Sequence, residues 1–126
     1  MTRKSKQDTC NVFLTERAVA DLLEIEQYTI KKWDKGVAAM YIAKFEKAFK
    51  LLELNPDLLL PNVSLSDDLL FFRVEKHLMA CVKLSSGIAV LTIVHANRDL
   101  PNVLHELVPN LKEEVALLLR RICEST

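Results

Sequence analysis

The chain has no surplus of charge, no paired cysteine motif and no long apolar run, and each absence removes a class of protein. Seventeen basic and seventeen acidic residues cancel. No global field therefore draws the molecule toward nucleic acid or anionic lipid, although a local basic patch is compatible with that balance. Cys10, Cys81 and Cys123 are odd in number, widely spaced and without a CxxC pair. That pattern argues against a disulfide framework and against zinc, and reduced structural thiols are expected. No HxxxH spacing is present either, so no metal or cofactor is expected. MTRKSKQD at the N-terminus has no apolar segment behind it, and the longest uncharged run, Leu84 to Asn97, is too short to span a bilayer. A cytoplasmic protein is the expectation.

What is present is a core. Half of the 126 residues are hydrophobic, enough for one domain to fold without staples. A single domain over 1–126 is expected, with its core about 10–107 and a helical C-terminal extension about 108–126. Cys10 to Leu14 reads as a short strand ending at Thr15, a good helix N-cap. From Glu16 the apolar positions Val19, Leu22, Leu23, Ile25, Tyr28 and Ile30 recur mostly three or four apart and predict a first helix with that stripe on a core.

Trp33-Asp-Lys-Gly36 supplies a break, with the glycine suited to the left-handed residue after a helix. Val37 to Leu54 predicts a second amphipathic helix, with Met40, Tyr41, Phe45, Ala48, Phe49 and Leu52 on one side. So short a connection packs the two antiparallel. Asn55-Pro56 ends the second helix, and the stretch to Asp68 reads as a loop. Leu69 to Val74, Leu78 to Leu84 and Ile88 to Val94 read as strands, the last two joined by Ser85-Ser-Gly87. Helix signals return over Asn102 to Leu107 and over Leu111 to Ile122. The expected class is α+β: an N-terminal strand and an antiparallel helix hairpin on a small antiparallel sheet, with a helical C-terminal extension.

Chemistry-bearing residues concentrate between Arg73 and Asp99. Arg73 and Glu75 alternate with Phe72 and Val74, and His95 continues an alternation through Ile93 and Leu91. His77 and Lys83 are six apart and share a face of a regular strand. If the strands bring them together, His77 and His95 supply a base and an acid, and Arg73 and Arg98 supply phosphate ligands, as metal-independent RNA cleavage requires. The plainer roles stay open: His95 as a capping histidine, Arg98-Asp99 as a turn clamp, Asp99 as the N-cap of the next helix.

Three pieces, LTERAVADLLEIEQYTIKKW, FEKAFKLLELNPDLL, and FFRVEKHLMACV followed by AVLTIVHANRDL, give Phe13 to Leu100 a resemblance to the RelE/ParE superfamily of toxins from type II toxin–antitoxin pairs. The resemblance covers about two thirds of the chain. It implies one of two activities: ParE-like members act on DNA gyrase, and RelE-like members cleave messenger RNA on the ribosome. Both are held inactive by a cognate antitoxin in a hetero-oligomer. The family pattern of a strand arginine, a histidine entering the next strand and a closing H-x-x-R-D is matched by Arg73, His77, His95, Arg98 and Asp99.

Candidate catalytic residues are thus Arg73, His77, His95 and Arg98, with Lys83 and Asp99 as binding candidates. Cys81 stands where the family often has an aromatic residue. The C-terminal tyrosine common in the nucleases is missing, since Tyr28 and Tyr41 lie in the helix hairpin. The neutral charge and the missing tyrosine favour the ParE-like, non-enzymatic reading over the RelE-like nuclease, while Cys81 and the long C-terminal extension give motive to a further one. A non-toxic protein-binding family member is the third expectation.

Overall fold

The computed structural model describes residues 11–62, 65–97 and 100–102 and positions 113, 116, 117 and 120. The helices expected over 102–107 and 111–122 therefore fall almost entirely outside the described residues. The chain runs β1 (Asn11–Leu14), α1 (Glu16–Lys32), α2 (Lys35–Leu54), a 3-10 turn (Pro56–Leu58), β2 (Leu60–Asn62), β3 (Ser66–Val74), β4 (His77–Leu84) and β5 (Gly87–His95). The five strands form one sheet in the order β1-β5-β4-β3-β2. The α+β class and the β3-β4-β5 meander stand as expected, with two additions. β1 joins β5 in parallel, pairing Asn11 with Gly87 through Leu14 with Val90, so the sheet is mixed. β2 lies in the segment expected to be a loop, and pairs antiparallel with β3 at the sheet edge. A three-residue edge strand holding Pro61 has no period for a sequence to display.

Thr15 joins β1 to α1. Its backbone N–H donates to the Val90 carbonyl, and its hydroxyl accepts from Ala18 N–H at 3.1 Å and donates to the Leu91 carbonyl at 2.9 Å. One buried side chain thus caps a helix and pins it to β5. The break between the helices is made differently from the sequence expectation. Gly36 lies within the first turn of α2 and takes no positive φ; the Asp34 carboxylate caps α2 instead, accepting from Val37 N–H at 2.8 Å. Aspartate satisfies an otherwise orphaned helix donor, which glycine cannot do.

The hairpin lies on one face of the sheet and buries a narrower stripe than the apolar pattern suggests. Ala18, Phe45, Ala48 and Leu52 are buried with Val74, Met79, Cys81, Ile88, Val90 and Ile93, flanked by Leu22, Ile25, Tyr41 and Phe49. Val19, Leu23, Tyr28 and Met40, which the pattern placed toward the core, are exposed. Ala18 and Thr29, not their larger neighbours, give α1 its close approach. Opposite, Leu69, Phe71, Ala80, Ala89 and Leu91 form a second buried set. Cys81 is fully buried and burial pushes its thiol up to about 12, a structural and unreactive state. No helix among the described residues is long and apolar enough to cross a membrane.

Candidate functional site

β4 and β5 begin and end at the same rim of the sheet, so their terminal histidines meet. His77 and His95 are direct cross-strand partners, with ring centroids 5.0 Å apart in an edge-to-face contact. α2 adds two rings one helical turn apart: Tyr41 and Phe45 lie 5.7 and 5.9 Å from the His77 ring. Tyr41 Oη lies 2.8 Å from His77 Nδ1 and accepts from Lys76 N–H at 3.4 Å. The hydroxyl donates to Nδ1 when the imidazole proton sits on Nε2 and accepts from it in the other tautomer. His95 is held by another route: its Nδ1 accepts from Asn97 N–H at 3.1 Å. The two rings thus stand side by side, each with its Nδ1 held by a neighbour.

The rim is charged. Lys44 pairs with Glu75 at 3.0 Å, and Arg73 Nε donates to the Glu75 carbonyl at 2.7 Å. Glu75, in the β3-β4 turn, holds a left-handed φ of 54°, which costs a non-glycine residue about 1 kcal/mol or more. Ala96 N–H donates to the Lys76 carbonyl at 2.8 Å and ties the end of β5 to the same turn.

Burial, and next the neighbouring His95, lower the His77 pKa from 6.5 to about 4. Burial raises that of Tyr41, an effect that the Lys76 N–H opposes and the Glu75 carboxylate adds to. The folded protein thus takes up a proton at His77 less readily than the unfolded chain. Its contribution to stability is intact above pH 6.5 and is lost as pH falls from 6.5 toward 4. His77 is half-buried, so after solvent screening the loss is about 1–2 kcal/mol. Chemical denaturation from pH 7 down to pH 4 is expected to show that slope, and His77→Gln to flatten it. A slope unchanged in the variant would place the proton uptake elsewhere.

The sequence candidates divide on this geometry. His77 and His95 come together. Arg73 pairs with Leu78, which pairs with Val94, so it leaves the opposite face of the sheet from the Val74–His77–His95 row and turns around the rim. Lys83 shares the His77 face, as expected, but six residues along the strand put it about 20 Å away. It lies 3.7 Å from Asp57, with both side chains exposed. Arg98 and Asp99 lie outside the described residues. The alternation from His95 through Ile93 to Leu91 fails at a bulge: Ala80 pairs Thr92 and Cys81 pairs Val90, so Leu91 is the extra residue and turns to the opposite face.

A polar latch marks that bulge. The Asp21 carboxylate accepts from Ile93 N–H at 2.9 Å and from the Thr92 hydroxyl at 2.6 Å, while Arg17 Nε donates to Thr92 Oγ1 at 3.2 Å. Sequence reasoning did not single out this latch or the tyrosine. The available signals were an aspartate between apolar helix positions and the i, i+4 spacing of Tyr41 and Phe45.

These strands and the helix hairpin are the part of the chain that comparison with known proteins recognises. The model of the ParE toxin of type II toxin–antitoxin systems, parDE, matches residues 12–100. The chain belongs to the ParE toxin family. The ParE match begins in β1 and ends just beyond β5, enclosing the Tyr41–His77–His95 cluster and omitting the final 26 residues (126 minus 100). A solved structure described as the chromosomal ParDE TA system from P. aeruginosa has the same fold, with a TM-score of 0.63. Sequence identity there is 15%, over 71% of this chain and 99% of that one. No curated protein matches the chain. Among the described residues no group of three or more histidine, cysteine or acidic side chains is placed to hold a metal ion.

Proposed function

We propose that this ParE-family chain arrests bacterial growth by acting on DNA gyrase, and that a cognate antitoxin neutralises it. The observation that carries the proposal is the ParE match across the whole hairpin and sheet. The formal charge of zero suits a target that is a protein surface, since binding to ribosomal RNA draws on lysine and arginine in excess. The antitoxin reading is supported by Val19 and Leu23, exposed one turn apart on α1, and by Leu51 and Leu54 on α2. Such apolar surface suits an amphipathic segment that orders as it binds. The assembly is a hetero-oligomer inside the cytoplasm.

The second reading is a RelE-like endoribonuclease, favoured by the Tyr41–His77–His95 contacts. In it a neutral imidazole takes the 2′-hydroxyl proton and a protonated one gives its proton to the leaving oxygen, with Arg98, and Arg73 reaching around the rim, as cations for the phosphate.

Induced expression of the chain in a bacterial host, with pulse labelling of DNA and protein synthesis, separates the two. The gyrase reading expects DNA synthesis to stop first and His95→Gln to remain toxic. The nuclease reading expects protein synthesis to stop first, with cleaved transcripts that disappear in His77→Gln and His95→Gln. Growth unaffected by the wild-type chain would remove both and leave a protein-binding family member.

A further inference from the structure

The tip of the helix hairpin carries residues that the fold itself does not call for. Tyr28, at the end of α1, is 63% exposed and Trp33, its C-cap, is 64% exposed. Two large aromatic surfaces are thus left in water, although burying either would stabilise the fold. Lys31, Lys32 and Lys35 surround them and are exposed as well. The α1 macrodipole accounts for the first two, which lie in its last turn. It does not account for Lys35, which opens α2 at the positive end of that helix, whose first turn holds no acidic residue. Asp34, the single acid between them, has its carboxylate committed to Val37 N–H. Lys32 Nζ lies 5.7 Å over the Tyr28 ring, so a cation and an aromatic face are already joined.

We propose that this tip, Tyr28 with Lys31 to Lys35, is a contact for single-stranded nucleic acid. Trp33 and Tyr28 supply stacking faces for unpaired bases and the three lysines supply phosphate partners. Aromatic rings interleaved with cations are the means by which unpaired strands are held without sequence preference. A protein partner fits less well, because lysine is depleted where interface residues are fully desolvated. A membrane fits less well too, since two rings on a helix turn do not make the continuous apolar face of an interfacial helix. The formal charge of zero is no obstacle, because positions 31–35 hold three of the seventeen cations against one acid. The site is separate from the histidine cluster and independent of which toxin activity holds.

Trp33 is the only tryptophan in the chain, so its fluorescence reports on the tip alone. Titration of the full chain with an oligo-dT strand at low salt is expected to quench it. Affinity should fall with salt at a log–log slope of about −2, or about −0.7 for each of three lysines. Lys32→Gln and Lys35→Gln should each make that slope shallower by about 0.7. Trp33→Ala, followed by anisotropy of a labelled strand, should weaken binding about tenfold. These side chains are exposed, so the variants should keep the wild-type thermal midpoint. Absence of quenching at low salt overturns the proposal. So does binding whose slope ignores the lysine variants, equal affinity for a blunt duplex, or a blue shift with phosphatidylserine vesicles where the strand produces no change.

Discussion

Gly87→Ala is expected to destabilise the fold by about 3 kcal/mol or more, a large share of the roughly 5–15 kcal/mol that holds a domain folded. Two effects add. Gly87 has a φ of 152°, which side chains with a Cβ rarely adopt. A Cβ built there stands 2.1 Å from the Asn11 carbonyl oxygen and 2.9 Å from its carbon. Both atoms are backbone, so no rotamer change relieves the clash. Asn11 is the residue that pairs with Gly87 in the β1-β5 ladder, so relief requires β1 to move away from the sheet. Thr15 hangs on the same strand, and its bonds to Val90 and Leu91 would be strained with it. Urea denaturation checks the magnitude, and amide exchange checks the location: Phe13 and Leu14 should lose protection before β3 and β4. A loss below about 1 kcal/mol would mean that β1 is weakly held.

Phe45→Ala should cost about 3–5 kcal/mol, and should also disturb a histidine that it does not hydrogen-bond. Phe45 is fully buried where the α2 interface meets the sheet. Its ring sits edge-on to both Tyr41 and His77, so one side chain fills the space against two members of the cluster. Removing it opens a cavity beside an imidazole whose pKa is held near 4 chiefly by burial. Water entering there weakens the desolvation and lets the His77 pKa rise toward 6.5. Proton NMR titration of the imidazole resonances reads this directly, and Phe45→Leu separates the causes. Leucine restores most of the volume, so it should recover most of the stability and leave His77 low. If His77 stays low in Phe45→Ala as well, the neighbouring His95 outweighs burial as the cause.

How much of this was legible in the sequence depends on the range of the forces involved. α1, α2 and the β3-β4-β5 meander are written in local periodicity and capping residues, and were readable within a turn or two. The meeting of His77 with His95 was readable as residues at a strand start and a strand end. Their register was not, since it depends on a bulge at Leu91 that one aspartate on a distant helix stabilises. Tyr41 read as one more member of an apolar stripe, because nothing local distinguishes a buried ring from one whose hydroxyl reaches a strand 36 residues away. The same limit applied to Val19, Leu23 and Met40: an apolar stripe shows which side of a helix is greasy, but not how wide the opposing surface is. Arg73 fell on the other face from the histidines because a two-residue turn keeps Val74, not Arg73, opposite His77.

The parallel docking of β1 on β5 also sets an order of events during synthesis. Thr15 and Leu91 are 76 residues apart, so β1, the first of the described strands to be made, waits for β5, the last of them, before either is complete. The helix hairpin, whose contacts are local, can form while the chain is still emerging. Until Gly87 to His95 leaves the ribosome, the apolar side of that hairpin has only part of a sheet to cover it. A nascent chain halted before Gly87 would therefore carry an intact hairpin and no closed core, a species prone to self-association. The hairpin gains its full cover only when β5 arrives.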